Sequence, residues 1–183
     1  MSNKFLLTFF LFAIAVSIAA RLLPHPPNFA PIAALALFTG VYASRVSKWY
    51  LLLPLAAMLV SDLFVGFYEW KTMAVVYGSF FTIGLIGLVV RKHRNVGTVA
   101  LGTLAGSLLF YLTTNFAVWV FSGMYAPTLD GLLLSYYMAL PFLKFTLLGD
   151  LFYVALFFGV YEFATSVIYK QSYGPATAKA NSN

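Results

Sequence analysis

Apolar residues fall into six runs separated by short polar segments. The first extends from Phe5 to about Ala20, the second from Ile32 to Ala43 and the third from Trp49 to Phe67. The fourth covers Thr72 to Val90, the fifth Val96 to Phe121 and the sixth Pro141 to Tyr169. A helix crosses the hydrocarbon core of a bilayer with roughly 20 apolar residues, and most of these runs reach that length. The second is too short to cross upright, so it is expected to be extended by its flanks or packed inside the bundle. Pro31 before it suits a first helical turn. Leu132 to Leu140 is expected to form an interfacial helix ahead of Pro141. The pattern predicts an all-α integral membrane bundle of about six transmembrane helices. It forms one domain over residues 1–169, followed by a small, polar, disordered tail at 170–183. No internal repeat is visible, and the chain is too short for two inverted halves of the usual transporter kind.

Composition supports the same solvent. The chain is 62% hydrophobic and 9% charged, with a mean hydropathy of +0.89, whereas a soluble domain carries roughly 25% charged residues. The net charge of +6 would raise nucleic acid as a partner in a soluble protein. Here the basic residues sit in short loops between apolar runs, so they set orientation in a bilayer instead. With the N-terminus in the cytoplasm, Lys4, Arg45, Lys48, Arg91, Lys92, Arg94, Lys170 and Lys179 are cytoplasmic, and Arg21, Lys71 and Lys144 lie on the other side. The eleven basic residues therefore favour both termini inside. The first run has signal-peptide features, namely Lys4 ahead of it and Ala13-Ile14-Ala15 within it. An uncleaved first span fits the charge pattern better. The absence of cysteine rules out disulfides, thiolate metal sites and cysteine nucleophiles.

Polar residues collect on one side. In this orientation Arg21, His25, Asn28, Asp62, Glu69, Asn115, Asp130, Lys144 and Asp150 occupy the outer half, and Glu162 is the one acid toward the cytoplasm. Such a set resembles a cavity open to the outside. Asp150 lies about nine residues past Pro141, roughly 14 Å along a helix axis. A carboxylate at that depth needs a cation, hydrogen bonds, a proton or cavity water. Lys144 lies on another face of the same helix, so Arg21 is the better partner on charge grounds. Asp62 reads as a ligand contact, as a pair with Arg21 or Lys71, or as the cap of a neighbouring helix. Tyr77 reads as an interfacial anchor or a contact. Tyr111, Asn115 and Trp119 share one helix face, which suits a flat polar ligand or ordinary interhelical hydrogen bonding.

The segment from Leu23 to Pro31 holds four prolines in nine residues, which makes it stiff and non-helical. It either connects two helices or grips a ligand at low entropic cost, with His25 held in a fixed position. The spacings Ala15-x-x-x-Ala19 and Gly102-x-x-x-Gly106 permit close helix approach. The glycine pair is expected to pack within the monomer, and the alanine pair to offer a face to a partner helix. No metalloprotease, nucleophile-elbow or phosphate-loop motif is present.

The sequence Arg21-Leu22-Leu23-Pro24-His25-Pro26-Pro27-Asn28-Phe29-Ala30-Pro31 carries a family resemblance, together with Leu35 to Gly40, Ser61-Asp62, Val76 to Phe80, Thr114-Asn115-Phe116 and Gly149-Asp150. These residues resemble a group of small bacterial membrane proteins similar to the substrate-binding S components of energy-coupling factor (ECF) transporters, the cobalamin-type members above all. The resemblance covers the chain to about Tyr169. It implies a six-helix bundle in the bacterial inner membrane, both termini cytoplasmic, and an outward site for a vitamin-sized molecule. It also implies a transmembrane coupling subunit with ATPases, met through Ala15 and Ala19. By motif position it makes His25, Asp62, Tyr77 and Asn115 ligand candidates. Some cobalamin-type relatives carry a cysteine that reaches the cobalt, which this chain lacks, and His25 is the substitute at hand. The polar cluster adds Arg21, Asn28, Lys144 and Asp150 to the substrate-binding candidates. No resident cofactor or metal is expected.

Three functions stand at this point. The first is a substrate-binding subunit for uptake of a vitamin-like molecule such as cobalamin or a related corrinoid. The second is a non-transporting scaffold or assembly protein whose polar residues bond only internally. The third is an intramembrane enzyme using Asp62 or Asp150 with His25.

Overall fold

The computed structural model describes the backbone of residues 3–42 and 46–180 and the side chains of residues 5–42 and 46–170. Arg45, one of the basic residues used for orientation, lies outside the described residues. Among these residues the chain is all-helical. The elements are α1 (Asn3–Leu22), α2 (Ile32–Tyr42), α3 (Leu53–Val65), α4 (Trp70–Val90), α5 (Val96–Phe121) and α6 (Leu129–Ala180). Short 3-10 turns at Lys48–Leu52 and Arg91–His93 lead into α3 and follow α4. Five helical segments are long and apolar enough to cross a membrane, and α2 is the short apolar one. Their outward surfaces carry large apolar side chains such as Leu11, Leu63, Phe64, Val89, Leu101 and Phe163. That surface is matched to lipid rather than water.

Local chemistry sets the helix ends. Glu69 accepts hydrogen bonds from the backbone N–H groups of Lys71 and Thr72 at 2.9 and 2.7 Å, capping α4. Asn95 and Thr98 form a reciprocal capping box at the start of α5. Gly66, at φ 103°, ends α3 in a conformation that favours glycine. Asn28 adopts φ 62° in the proline-rich loop, a turn that asparagine tolerates.

The centre of the bundle is α2. Every one of its residues from Ile32 to Tyr42 is buried, with α4 and α6 packed against it. Its length of 11 residues corresponds to roughly 16 Å, about half of a hydrocarbon core of roughly 30 Å. It is thus packed inside the bundle. Alanine-rich sequence and Gly40 let its neighbours close in. A Cβ on Gly40 would fall 2.1 Å from Gly84 O, and one on Gly87 would fall 2.5 Å from Leu37 O and 2.8 Å from Gly40 Cα. Hence α2 and α4 touch backbone to backbone. Gly102 and Gly106 seat Val90 and Ile83 of α4, so that pair packs within the monomer as the spacing predicts. Toward the C-terminal end of α2 an aromatic cluster fills the interior, with Phe38 meeting Phe9, Phe10, Phe158 and Tyr161 at centroid distances of 5.2–5.3 Å.

The last helix differs from expectation. Leu132–Leu140 is not a separate interfacial helix, because α6 runs unbroken from Leu129 through Pro141. Proline removes one i→i−4 hydrogen bond, and a helix within a membrane bundle tolerates that loss when neighbours hold it. Ser135 and Ala139 before the proline are buried, and Tyr111 of α5 donates to Tyr136 O at 2.6 Å, so the segment is held against the bundle. The α6 backbone also continues to Ala180, through most of the segment expected as a disordered tail. Residues 181–183 lie outside the described residues.

Candidate functional site

Because α2 occupies half of the bundle's height, the half beyond its N-terminus is left open. A cavity of about 500 Å³ lies there, lined by residues of all six helices and the proline-rich loop. Ile32 and Ala33 form part of its floor, and Arg21, His25, Asn28, Asn115 and Asp150 all line it. Its apolar wall includes Phe80, Phe110 and Phe142, with Phe80 and Phe110 stacked at 5.0 Å. The loop reaches down to this level. Phe29 packs on Gly149, where a Cβ would lie 3.0 Å from Phe29 Cα, and on Phe152 and Tyr153 of α6. His25 and Asn28 are thereby carried to the cavity's edge, and both remain exposed.

Arg21 enters the cavity wall from the last turn of α1. Its Nη2 donates to Asp62 Oδ1 at 2.6 Å, and Tyr77 Oη donates to Asp62 Oδ2 at 2.7 Å. Asp62 is 1% exposed, and neither it nor Tyr77 lines the cavity. Asp62 holds the guanidinium, and Tyr77 in turn fixes Asp62. Asp62 therefore takes the pairing that its position allowed, and Arg21 is not the partner expected for Asp150. Instead Asp150, 3% exposed, lies 2.6 Å from Ser107 Oγ of α5. The helical rise separates the two acids, since α3 presents Asp62 beside the end of α1 whereas α6 presents Asp150 at the floor.

The stripe on α5 divides in the same way. Tyr111 Oη donates to Tyr136 O, and Trp119 Nε1 donates to Ala126 O at 2.9 Å, tying α5 to α6 and its preceding loop. Asn115 donates from its amide nitrogen to Tyr111 O within its own helix at 2.8 Å and lines the cavity. Lys144 is exposed and does not line the cavity. Asp130 is exposed in the first turn of α6. Tyr68 joins the lining from the connection between α3 and α4. Burial and then the Asp62 charge push its phenol up to about 12, so it stays a hydrogen-bond donor at neutral pH. Sequence pattern alone does not single out Tyr68, because an aromatic residue at a span end reads as an interfacial anchor.

No cluster of three or more metal-ligating side chains occurs among the described residues. What the cavity offers is one anchored cation, one buried carboxyl, two amides, an imidazole and aromatic walls. Such a set has the chemistry to hold a compact ligand with polar ends and an apolar middle.

A family model matches residues 1–175. The chain belongs to DUF6580, a family of unknown function. No curated protein and no solved structure matches it. Membership covers the whole cavity, from Arg21 to Asp150, so the site lies within the family's shared region.

Proposed function

We propose that this chain is a substrate-capture membrane subunit, similar to the S components of ECF transporters, for uptake of a small vitamin-like molecule. The observation that carries the reading is the half-length α2. It leaves a cavity of about 500 Å³, within the range of roughly 300–1,000 Å³ typical of small-molecule sites. The distribution of basic residues supports cytoplasmic termini, and the resemblance to S components supports a bacterial inner membrane; on that reading the Arg21 end faces outward and the Arg94 end inward. Ligand enters past the His25 loop, its anionic or carbonyl end meeting Arg21 and its body lying against Phe80, Phe110 and Phe142. A one- or two-ring vitamin fits inside. A whole corrinoid exceeds the cavity and would need the loop to swing outward, leaving His25 to face its cobalt.

Coupling to a transmembrane partner with ATPases rests on α1. Ala15 and Ala19 are exposed on one face with Leu7 and Leu11, and small residues at that spacing let another helix approach closely.

The test is ligand-dependent thermal stabilisation of the purified protein in detergent, against a panel of vitamins and corrinoids. Stabilisation at micromolar ligand that is lost in Asn115→Leu supports the reading. A full panel without any shift sinks it in favour of a scaffold role, in which the Arg21–Asp62–Tyr77 group serves only to hold the bundle.

A further inference from the structure

A second crevice, of about 520 Å³, opens between α5 and α6 at the Arg94 end. Its walls are mainly apolar, and its mouth carries Tyr42, Arg94 and Glu162. Arg94 Nη1 lies 2.7 Å from Glu162 Oε1, and Tyr42 Oη donates to the same carboxylate. Between this crevice and the outer cavity lies a small void with no room for a water molecule. The void shares Ala33 and Asp150 with the outer cavity, and Thr103 and Val154 with the inner crevice. The two hollows are thus separated by a septum built from α2, α4, α5 and α6, whose residues line the void between them. Gly106 and the alanines Ala33 and Ala34 of α2 are its small residues.

Asp150 is the ionisable side chain of that septum among the described residues. Its neighbour Ser107 Oγ lies 2.6 Å from Asp150 Oδ2 and 3.0 Å from Thr103 O. A hydroxyl has one hydrogen and two acceptor positions. When Asp150 is charged, Ser107 donates to it. When Asp150 is protonated, the acid donates to Ser107, which turns its hydrogen to Thr103 O. Both protonation states therefore keep a full hydrogen bond without movement of any heavy atom. The groups facing Asp150 from other elements are few. Arg21, itself held by Asp62, lines the outer cavity together with His25, Tyr68 and Tyr111. Within the septum α2 contributes Ala33, Ala34 and Leu37, and α4 contributes Ile83. On α6, Tyr153 is near in sequence and Lys144 is exposed. Glu162 lies twelve residues further on, roughly 18 Å along the axis.

We propose that the bundle contains its own proton route, with Asp150 exchanging a proton between the outer cavity and the inner crevice across the Thr103–Val154 septum. A hydronium ion in the outer cavity gives a proton to Asp150, breaking one of its own O–H bonds and forming one on the carboxylate. Parting of Thr103 and Val154 then lets a water of the inner crevice take the proton, breaking that bond, forming hydronium and returning the carboxylate to Ser107. The driving force is the proton gradient, and its coupling to substrate movement rests on the capture reading above. The route itself does not.

The test uses the native chain in right-side-out membrane vesicles and a hydrophobic carbodiimide, which adds covalently to protonated carboxyl groups. The adduct on the Asp150 peptide is followed by mass spectrometry, with Asp150→Asn to assign it. The expected result is a several-fold loss of adduct when the pH is raised on either side alone. An adduct that follows outside pH only would overturn the route and leave Asp150 as a component of the capture site. No adduct at any pH, with Glu162 or Asp130 labelled in the same sample, would overturn it as well. Because no substrate is added, failure of this test is distinct from failure of the vitamin panel.

Discussion

Arg21 and Asp62 are 41 positions apart in the chain and 2.6 Å apart in space, joining the end of α1 to α3 beside the cavity. The carboxylate is 1% exposed and the guanidinium side chain 15%, so the pair is largely desolvated. Removing one member of a buried pair leaves an uncompensated charge, which costs roughly 3–5 kcal/mol. Asp62→Asn is accordingly expected to lower the thermal midpoint in detergent sharply. Tyr77→Phe removes one hydrogen bond to a charged group and should cost roughly 1.5–3 kcal/mol. A double-mutant cycle checks the arrangement: the Tyr77 effect should shrink in the Asp62→Asn background. Additive losses would separate the two residues.

That pair also marks the boundary of what the chain reveals on inspection. Arg21, Asp62 and Asp150 are all recognisable as costly intramembrane charges, but which two meet depends on helix rotation and depth. Residue spacing along one helix does not encode either. The apolar spans are legible because lipid-facing helices must be apolar almost all round, and the short α2 because its length falls below a crossing. Continuity of α6 is hidden by Pro141, which ends helices in water more readily than in a packed bundle. The close contact of Gly40 with Gly84 and Gly87 is hidden for another reason. Its partners lie on different helices, and only the crossing point brings them together.

The α2–α4 crossing has no room for a side chain. Gly40→Ala and Gly87→Ala would drive a methyl into backbone atoms at 2.1 and 2.5 Å. Overpacking typically costs roughly 1–3 kcal/mol, with more where backbone has to yield. Gly78 on the same α4 has no neighbouring atom within 4 Å of a Cβ. Alanine there should be neutral or stabilising, by up to about 1 kcal/mol from helix propensity. Thermal unfolding of the three variants side by side measures the contrast. Equal midpoints would mean that the helices do not cross at these glycines.

Tyr68 gives a pH signature. Its phenol is raised from an ordinary value near 10 to about 12, by burial first and by the Asp62 charge second. A group whose folded value is raised contributes stability below its unfolded value and loses it as pH rises through the folded one. Between about pH 10 and 12 the folded state should therefore weaken through this residue, as the unfolded chain ionises first. Tyr68→Phe should flatten that part of the stability profile, and the difference absorbance titration of wild type against variant should show one tyrosinate forming late. A tyrosinate that forms near pH 10 would place Tyr68 free of the cavity wall.

Asn115 and Lys144 separate the cavity from the polar surface around it. Asn115 lines the cavity, and its amide nitrogen donates to Tyr111 O of its own helix, where backbone bonding already exists. Asn115→Leu should leave the fold nearly intact while removing the amide from the cavity. Lys144 is exposed beyond the lining, so Lys144→Ala should leave ligand binding unchanged. With a ligand at a hundred times its dissociation constant, wild type gains about 2.7 kcal/mol of apparent stability. Lys144→Ala should keep that gain and Asn115→Leu should lose most of it, read as the ligand-induced shift in thermal midpoint. A loss in Lys144→Ala equal to that in Asn115→Leu would move the binding surface outside the bundle, onto the face of α6 where Lys144 stands.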